Sequence, residues 1–142
     1  MSFDWKDYLL FAQEMCGKSN GGNACQETKM RCAISRAYYS AFCNARNFLN
    51  ENGVKIPDDA NIHNAVKREF SDSKDKLYKE IGVNLDRLRL SRNKADYDNV
   101  FYEKGRIVRN LSSEANKSIS YSEIVLRKLN ELRTDGSISQ AK

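Results

Sequence analysis

Histidine and cysteine, the residues that most often build metal and disulfide sites, are scarce in this sequence. There is one histidine, His63, and none of the four cysteines stands in a C-x-x-C pair. A zinc site would need a nearly all-cysteine ligand set. Cys32 and Cys43 fall about 16 Å apart along a helix, which is too far for a disulfide. We therefore expect free thiols, no metal site and no cofactor.

Long apolar runs are missing as well. No run approaches the ~20 residues that a helix needs to cross a bilayer, and 30% of the residues are charged. The first seven residues include two acids and lack the basic-then-apolar order of a secretory signal. The sequence therefore predicts a cytoplasmic protein that does not contact a membrane.

The charge excess is mild. The chain of 142 residues has 24 Lys and Arg against 19 Asp and Glu, a net charge of +5, which permits a phosphate-bearing partner without requiring one. The length suits one domain, and we find no repeat or linker. We predict a single domain over residues 1–133 and a flexible tail over residues 134–142, which are mostly small and polar.

Apolar residues recur with helical period along most of the chain, and no segment alternates as a strand would. The pattern predicts an all-α, up-and-down antiparallel bundle of about five helices. The apolar stripes run from Trp5 to Ala12, Met30 to Leu49, Ile62 to Phe70, Leu77 to Ala95 and Ile107 to Leu132. Residues 96–104 are expected to be irregular.

Two polar residues of the fourth helix break its pattern. Arg92 falls inside the apolar stripe, and Asp96 follows one turn later. One interpretation is a buried ion pair that holds the helix end, and the other is an arginine placed at a groove to bind phosphate. The polar flank of the second helix, which carries Ser35, Tyr39 and Arg46, is either an ordinary solvated surface or part of such a phosphate-binding groove.

The fourth helix also has a second apolar stripe, in which Val83, Leu90 and Tyr97 repeat every seven residues on the side away from the core. Such a stripe favours a partner helix, most simply from a second copy of the chain, so we predict a homodimer interface here. Isolated surface apolar residues are the alternative. His63 lies on or beside the inward face of its helix, where a structural role is the usual one.

Three segments together resemble the HEPN domain family. They are Ala33-Ile-Ser-Arg-Ala-Tyr-Tyr-Ser-Ala-Phe42, then His63 with Val66 and Phe70, and Leu88-Arg-Leu-Ser-Arg-Asn-Lys-Ala-Asp-Tyr-Asp98. The resemblance covers residues 31–98 and is closest to small bacterial and archaeal members. It implies a helical bundle, frequent homodimerisation through the motif helices and a link to RNA. Many such proteins are metal-independent ribonucleases of toxin–antitoxin or defence systems, paired with a nucleotidyltransferase-type partner.

The family's active motif is an arginine followed, after four to six residues, by a histidine. Arg92 matches the arginine, but Tyr97, Asp98 and Asn99 occupy the three positions allowed for the histidine. Tyrosine and aspartate titrate far from neutral pH, which makes them poor proton carriers unless strongly shifted. The catalytic candidates are therefore Arg92, Asp96, Tyr97 and His63.

Two functions follow from these residues. The first is a module that binds RNA or a nucleotide at a groove around Arg92, with or without cleavage. The second is a non-catalytic interaction module in which Arg92 and Asp96 only hold the bundle together. A basic groove with aromatic side chains would favour the first. Its candidate binding residues are Arg36, Tyr39, Arg46, Arg89 and Lys94.

Overall fold

Five α-helices and one short hairpin occupy residues 3–18 and 23–140, the part of the chain that the computed structural model describes, with side chains described up to residue 135. In chain order the elements are α1 (Lys6–Met15), α2 (Gln26–Glu51), α3 (Ile62–Ser71), α4 (Lys76–Tyr97), β1 (Tyr102–Glu103), β2 (Arg106–Ile107) and α5 (Ser112–Gln140). The prediction of an all-α bundle of five helices is confirmed. None of these helices is long and apolar enough to span a membrane.

Helices α2, α4 and α5 form the centre of the bundle, since each packs against the other two, while α3 packs mainly against α4 and α1 against α2. The predicted stripes of α2, α3 and α4 meet in one core. Ala41 and Ala45 are fully buried, and their small side chains let the neighbouring helix backbones come close. The large side chains of this core include Tyr38, Phe42, Phe48, Leu49, Val66, Phe70, Ile81, Leu85, Leu88, Val125 and Leu129.

Gly82 lies inside α4, although glycine lowers helix stability. A Cβ atom at this position would lie 2.9 Å from the backbone nitrogen of Ser71 and 3.0 Å from its Cα. Real side chains do not approach backbone atoms this closely, so the glycine allows the end of α3 to lie against α4. The packing of α3 therefore explains a residue that the helical pattern alone does not.

The hairpin between α4 and α5 was not predicted. Lys104 and Gly105 turn the chain with positive φ angles of 52° and 77°, and Tyr102 pairs with Ile107 across the two strands. The prediction that Ile107 belongs to the last helix is therefore wrong. Helix α5 begins at Ser112, whose backbone N–H donates to Asn110 Oδ1 at 2.9 Å.

At the other end, α5 continues past residue 133 to Gln140. The predicted boundary between domain and tail thus falls inside a helix. Residues 141 and 142 lie outside the described residues, and the flexibility of residues 134–142 stays a prediction.

Arg31 on α2 is completely buried and joins α2 to the end of α4. Its Nη1 donates to three backbone carbonyls at the C-terminal end of α4, those of Asp98 at 2.7 Å, Ala95 at 2.9 Å and Lys94 at 3.3 Å. Its Nε donates to Glu27 at 2.9 Å. The last carbonyls of a helix have no partner within the helix and carry its negative partial charge. Arg31 supplies these carbonyls with both hydrogen-bond donors and a positive charge.

The N-terminal segment covers the other side of this guanidinium. The Phe3 ring lies 4.3 Å from Arg31 Cζ, and the Trp5 ring lies 5.3 Å from it. Trp5 Nε1 donates to Asn99 Oδ1 at 2.7 Å, and the Tyr8 hydroxyl donates to the Ala95 carbonyl at 3.1 Å. Helix α1 and the residues before it therefore close over the junction of α2 with the end of α4.

Replacing Arg31 tests this arrangement. The Arg31→Met variant is expected to lose about 3 kcal/mol of unfolding free energy, because three carbonyls each lose the hydrogen bond from the guanidinium and the end of α4 loses a buried positive charge. Urea denaturation followed by circular dichroism measures this loss. Arg109→Met removes an exposed arginine and is the matched control, expected to change stability by less than about 0.5 kcal/mol. A loss below about 1 kcal/mol in Arg31→Met would contradict the assignment.

Candidate functional site

Tyr38 lies where α2, α3 and α4 meet, and Arg92 lies against it. Arg92 Cζ is 5.0 Å from the centre of the Tyr38 ring, 5.5 Å from that of Tyr39 and 6.0 Å from that of Tyr97. Only 6% of Arg92 is exposed. A guanidinium desolvated among aromatic faces gains cation–π attraction from each of them. The burial of Arg92 agrees with its position in the apolar stripe of α4.

The ion pair between Arg92 and Asp96 is present but long, with 3.9 Å between Nη1 and Oδ2. The same carboxylate oxygen accepts a hydrogen bond from the Ser35 hydroxyl at 3.2 Å. Burial raises the pKa of Asp96 above its usual value, against the opposing effects of Ser35 and Arg92. Arg92 Nε is buried and has no hydrogen-bond partner among the described residues. The pair therefore leaves the charge of Arg92 incompletely compensated.

His63 reaches the same place from α3. Its Nδ1 is 2.6 Å from the Tyr38 hydroxyl, and its ring stacks on Phe42 at a centroid distance of 4.4 Å. Burial, followed by the positive charges of Arg92 and Arg89, lowers the pKa of His63 below 6.5. Burial also raises the pKa of Tyr38 to about 12. At neutral pH the site thus holds a neutral imidazole bonded to a protonated phenol.

Three further arginines surround this centre. Arg89 lies close enough to lower the pKa of His63, and its own Nε is buried without a partner among the described residues. Arg46 Cζ lies 6.0 Å from the Phe42 ring, and the exposed Arg36 acts on the Asp96 carboxylate. Within residues 3–18 and 23–135, none of these three arginines has a carboxylate within 4.0 Å. Arg36, Arg46, Arg89 and Arg92 are called the arginine cluster below.

Lys94 is not part of this cluster. Its Nζ pairs with Glu103 of the hairpin at 2.8 Å and lies 5.6 Å from the Phe101 ring. Two positions along an α-helix represent a rotation of about 200°, so Lys94 and Arg92 occupy nearly opposite sides of α4. The structure thus brings Arg36, Tyr39, Arg46, Arg89 and the catalytic candidates together but leaves Lys94 apart.

The second stripe of α4 is exposed, as its phase predicts. Val83 is 48% exposed, Leu90 57% and Tyr97 70%. Tyr97 belongs both to this stripe and to the edge of the arginine cluster, because its ring contacts Arg92. A homodimer at this stripe stays a prediction, as does the catalytic role of each candidate residue.

The fold and this site define a small helical-bundle domain with a cationic, tyrosine-lined centre between its motif helices. The chain belongs to the HEPN domain family, whose model matches residues 21–132. The match runs from the segment before α2 into the last turns of α5 and leaves α1 outside. Searches among curated proteins and among solved structures find no match to this chain. The family points to a nucleotide- or RNA-related module.

Two residues of this site were not predicted to belong to it. Tyr38 was predicted only as a core residue, and nothing in the spacing indicates that its hydroxyl meets His63, 25 positions away. Arg31 holds the helix end that one of the two interpretations assigned to the Arg92–Asp96 pair. The sequence does place Arg31 one helical turn before the polar Ser35, on the same side of α2. This position does not predict which residues Arg31 contacts.

The pKa of His63 offers a direct test of the cluster, because the only histidine gives a single set of imidazole signals in an NMR titration. The midpoint is expected below 6.5. The fold therefore favours the neutral ring, and the stability this contributes is present above pH 6.5 and is lost as pH falls through the folded pKa. Arg92→Gln is expected to raise the midpoint, and Arg109→Gln to leave it unchanged. A wild-type midpoint at or above 6.5 would refute the assignment.

Proposed function

We propose that this chain is an RNA-binding HEPN module and that the arginine cluster is its phosphate-contacting surface. The observation that carries this proposal is the charge balance of the site. Of the four arginines only Arg92 has a carboxylate within 4.0 Å in the described part of the chain, Asp96 at 3.9 Å. Arg89 and Arg92 each have a buried Nε without a partner there. A protein that needed these arginines only for packing would gain stability by pairing them. Unpaired guanidinium groups are instead suited to phosphate oxygens.

The arginines of the cluster differ in exposure, which suggests that they contribute to phosphate binding in different ways. Arg36 and Arg46 are accessible and can reach phosphate groups, whereas the buried Arg92 raises the positive potential beneath them. Tyr97, which is largely exposed, offers a ring for stacking against a base.

We further propose that the module acts as a homodimer through Val83, Leu90 and Tyr97. Exposed apolar side chains in heptad spacing gain from burial against a second helix. Tyr97 joins this stripe to the arginine cluster, so a dimer seam at the stripe would bring two clusters near each other. The resemblance adds a nucleotidyltransferase-type partner and a toxin–antitoxin or defence setting to this proposal.

The outer arginines provide the test of RNA binding. The double variant Arg36→Gln with Arg46→Gln is expected to bind a labelled single-stranded RNA about tenfold more weakly at low salt. The salt dependence, log Kd against log salt, should also lose about 1.4 units of slope, since each lost phosphate contact removes ~0.7. Fluorescence anisotropy measures both quantities. The control pair Lys6→Gln with Arg109→Gln removes the same charge from exposed positions outside the cluster and should bind almost normally.

A separate variant tests the dimer. Leu90→Glu is expected to lower the sedimentation coefficient to that of a monomer. If wild type binds no RNA at about 50 mM salt, the RNA-binding function fails and the non-catalytic interaction module takes its place. If it binds RNA as a monomer, only the homodimer is refuted.

RNA cleavage is a second candidate function, favoured by the position of His63. Attack of a ribose 2′-hydroxyl on the adjacent phosphorus needs a base for the hydroxyl proton, an acid for the departing 5′-oxygen and a cation for the charged phosphorane. A neutral imidazole beside Arg92 and Arg89 could take the hydroxyl proton and, as imidazolium, give it to the departing 5′-oxygen, while the two guanidinium groups stabilise the charged phosphorane. The family motif has its histidine on the arginine's own helix, whereas this one comes from α3.

Incubating the protein with RNA in EDTA tests this candidate. Cleavage leaving 2′,3′-cyclic phosphate ends is expected, and His63→Gln should slow it at least about a hundredfold, the usual contribution of a general base. Tyr38→Phe, which keeps the ring and removes the bond to His63, should slow it less. Cleavage that His63→Gln leaves unchanged, or none by folded wild type, would exclude this mechanism and leave RNA binding as it stands.

A further inference from the structure

A second cationic surface lies between α4 and α5, away from the arginine cluster. A cavity of about 530 Å³ and another of about 370 Å³ share Arg87 in their walls, and a third of about 610 Å³ shares Lys117 and Tyr121 with the second. The first two lie along the junction of the two helices, and the third adjoins the second on α5 and the residues before it. From Lys76 to Lys94 the first two extend along roughly 27 Å of α4, at 1.5 Å per residue. This junction is called the α4–α5 groove below.

Every carboxylate in the walls of the groove already has a lysine partner. The three ion pairs are Glu80 with Lys128 at 2.5 Å, Glu103 with Lys94 at 2.8 Å and Glu114 with Lys117 at 3.5 Å. No wall carboxylate is left to neutralise the other cations.

Five cations of the groove have no carboxylate within 4.0 Å among the side chains described up to residue 135. Because they surround a concave surface, their fields add in the space between the helices and attract an elongated anion. These cations are Lys76, Lys79, Arg87, Lys104 and Arg127.

Two uncharged features of the walls indicate the kind of anion. Arg87 Cζ lies 5.3 Å from the Tyr121 ring, a pair on which a base can stack. Asn84 borders the first cavity and is 6% exposed, and its Oδ1 has no hydrogen-bond partner in the described part of the chain. An unpartnered acceptor suits a hydroxyl donor, which the ribose 2′-hydroxyl of RNA supplies and DNA lacks.

The groove and the arginine cluster lie on different flanks of α4. Arg87 and Arg92 are five residues apart, a rotation of about 140°, and the exposed Val83 and Leu90 lie on the outer ridge of the helix. Val83 and Leu90 also border the first and second cavities of the groove. A chain leaving the cluster could therefore cross this ridge, or the seam of a dimer, and enter the groove.

We propose that the α4–α5 groove binds the sugar–phosphate backbone of single-stranded RNA, as a site separate from the arginine cluster. For its ligand class this inference rests on the proposed function. RNA fits the groove better than a lipid surface does, because the cations lie along a concave channel that a flat membrane would touch only at its rim.

The test compares a groove variant, a control that loses the same three charges, and the cluster variant in salt titrations with labelled single-stranded RNA. The groove variant carries Lys76→Gln, Lys79→Gln and Arg127→Gln, all at exposed positions without ion pairs. Its control carries Lys6→Gln, Lys55→Gln and Arg109→Gln, which border none of the three cavities. The third protein is the cluster variant with Arg36→Gln and Arg46→Gln.

The groove variant is expected to lose about 2 units of salt slope and at least tenfold in affinity at about 50 mM salt, at ~0.7 units for each phosphate contact. The control should stay within about threefold of wild type. DNA of the same sequence should bind several-fold more weakly than RNA.

Four results would overturn the inference, each in a distinguishable way. If the groove variant binds like its control while the cluster variant is impaired, the groove is not a site and the proposed function survives. If wild type binds no RNA, both fail. If phosphatidylserine vesicles bind the groove and RNA does not displace them, or if DNA binds as tightly as RNA, the ligand is not RNA.

Discussion

The burial of Arg31 against the C-terminal end of α4 is the constraint on which the rest of the structure depends. Its guanidinium donates hydrogen bonds to the carbonyls of Ala95 and Asp98, which flank Asp96 and Tyr97 in the sequence. The position of that last turn decides whether Asp96 meets Ser35 and whether Tyr97 meets Arg92. A helix end without such a partner would fray, because its last carbonyls lack intrahelical donors.

Helix α4 faces a different environment on each of its four sides. Leu85 and Leu88 face the core, the arginine cluster occupies the flank toward α2 and α3, and the groove cations occupy the flank toward α5. The exposed stripe forms the outer ridge between these two flanks. A helix repeating every 3.6 residues can present such different sides only if its polar residues are placed as regularly as its apolar ones.

The cationic side chains of the two flanks differ in how deeply they are buried. On the cluster side, Arg92 is nearly enclosed, lies among tyrosine rings and lowers the pKa of a neighbouring histidine. On the groove side, the lysines without an ion pair among the described residues, Lys76, Lys79 and Lys104, are exposed. Leaving a buried guanidinium incompletely paired costs stability, whereas leaving an exposed lysine unpaired costs little. The buried, incompletely paired arginines of the cluster are therefore the stronger evidence for a functional site. The groove adds evidence that the bound RNA chain is extended.

Periodicity alone determined the number of helices, the core stripes of α2, α3 and α4, the burial of Arg92 and the exposure of Val83, Leu90 and Tyr97. These follow from the local geometry of a helix, in which phase fixes direction. The motif segments also led to the family that the match over residues 21–132 shows. Tertiary structure alone decided that His63 meets Tyr38, that Arg31 closes α4 and that Lys94 lies away from Arg92. Contacts between helices depend on how the helices are placed relative to one another, which the spacing within one helix does not specify.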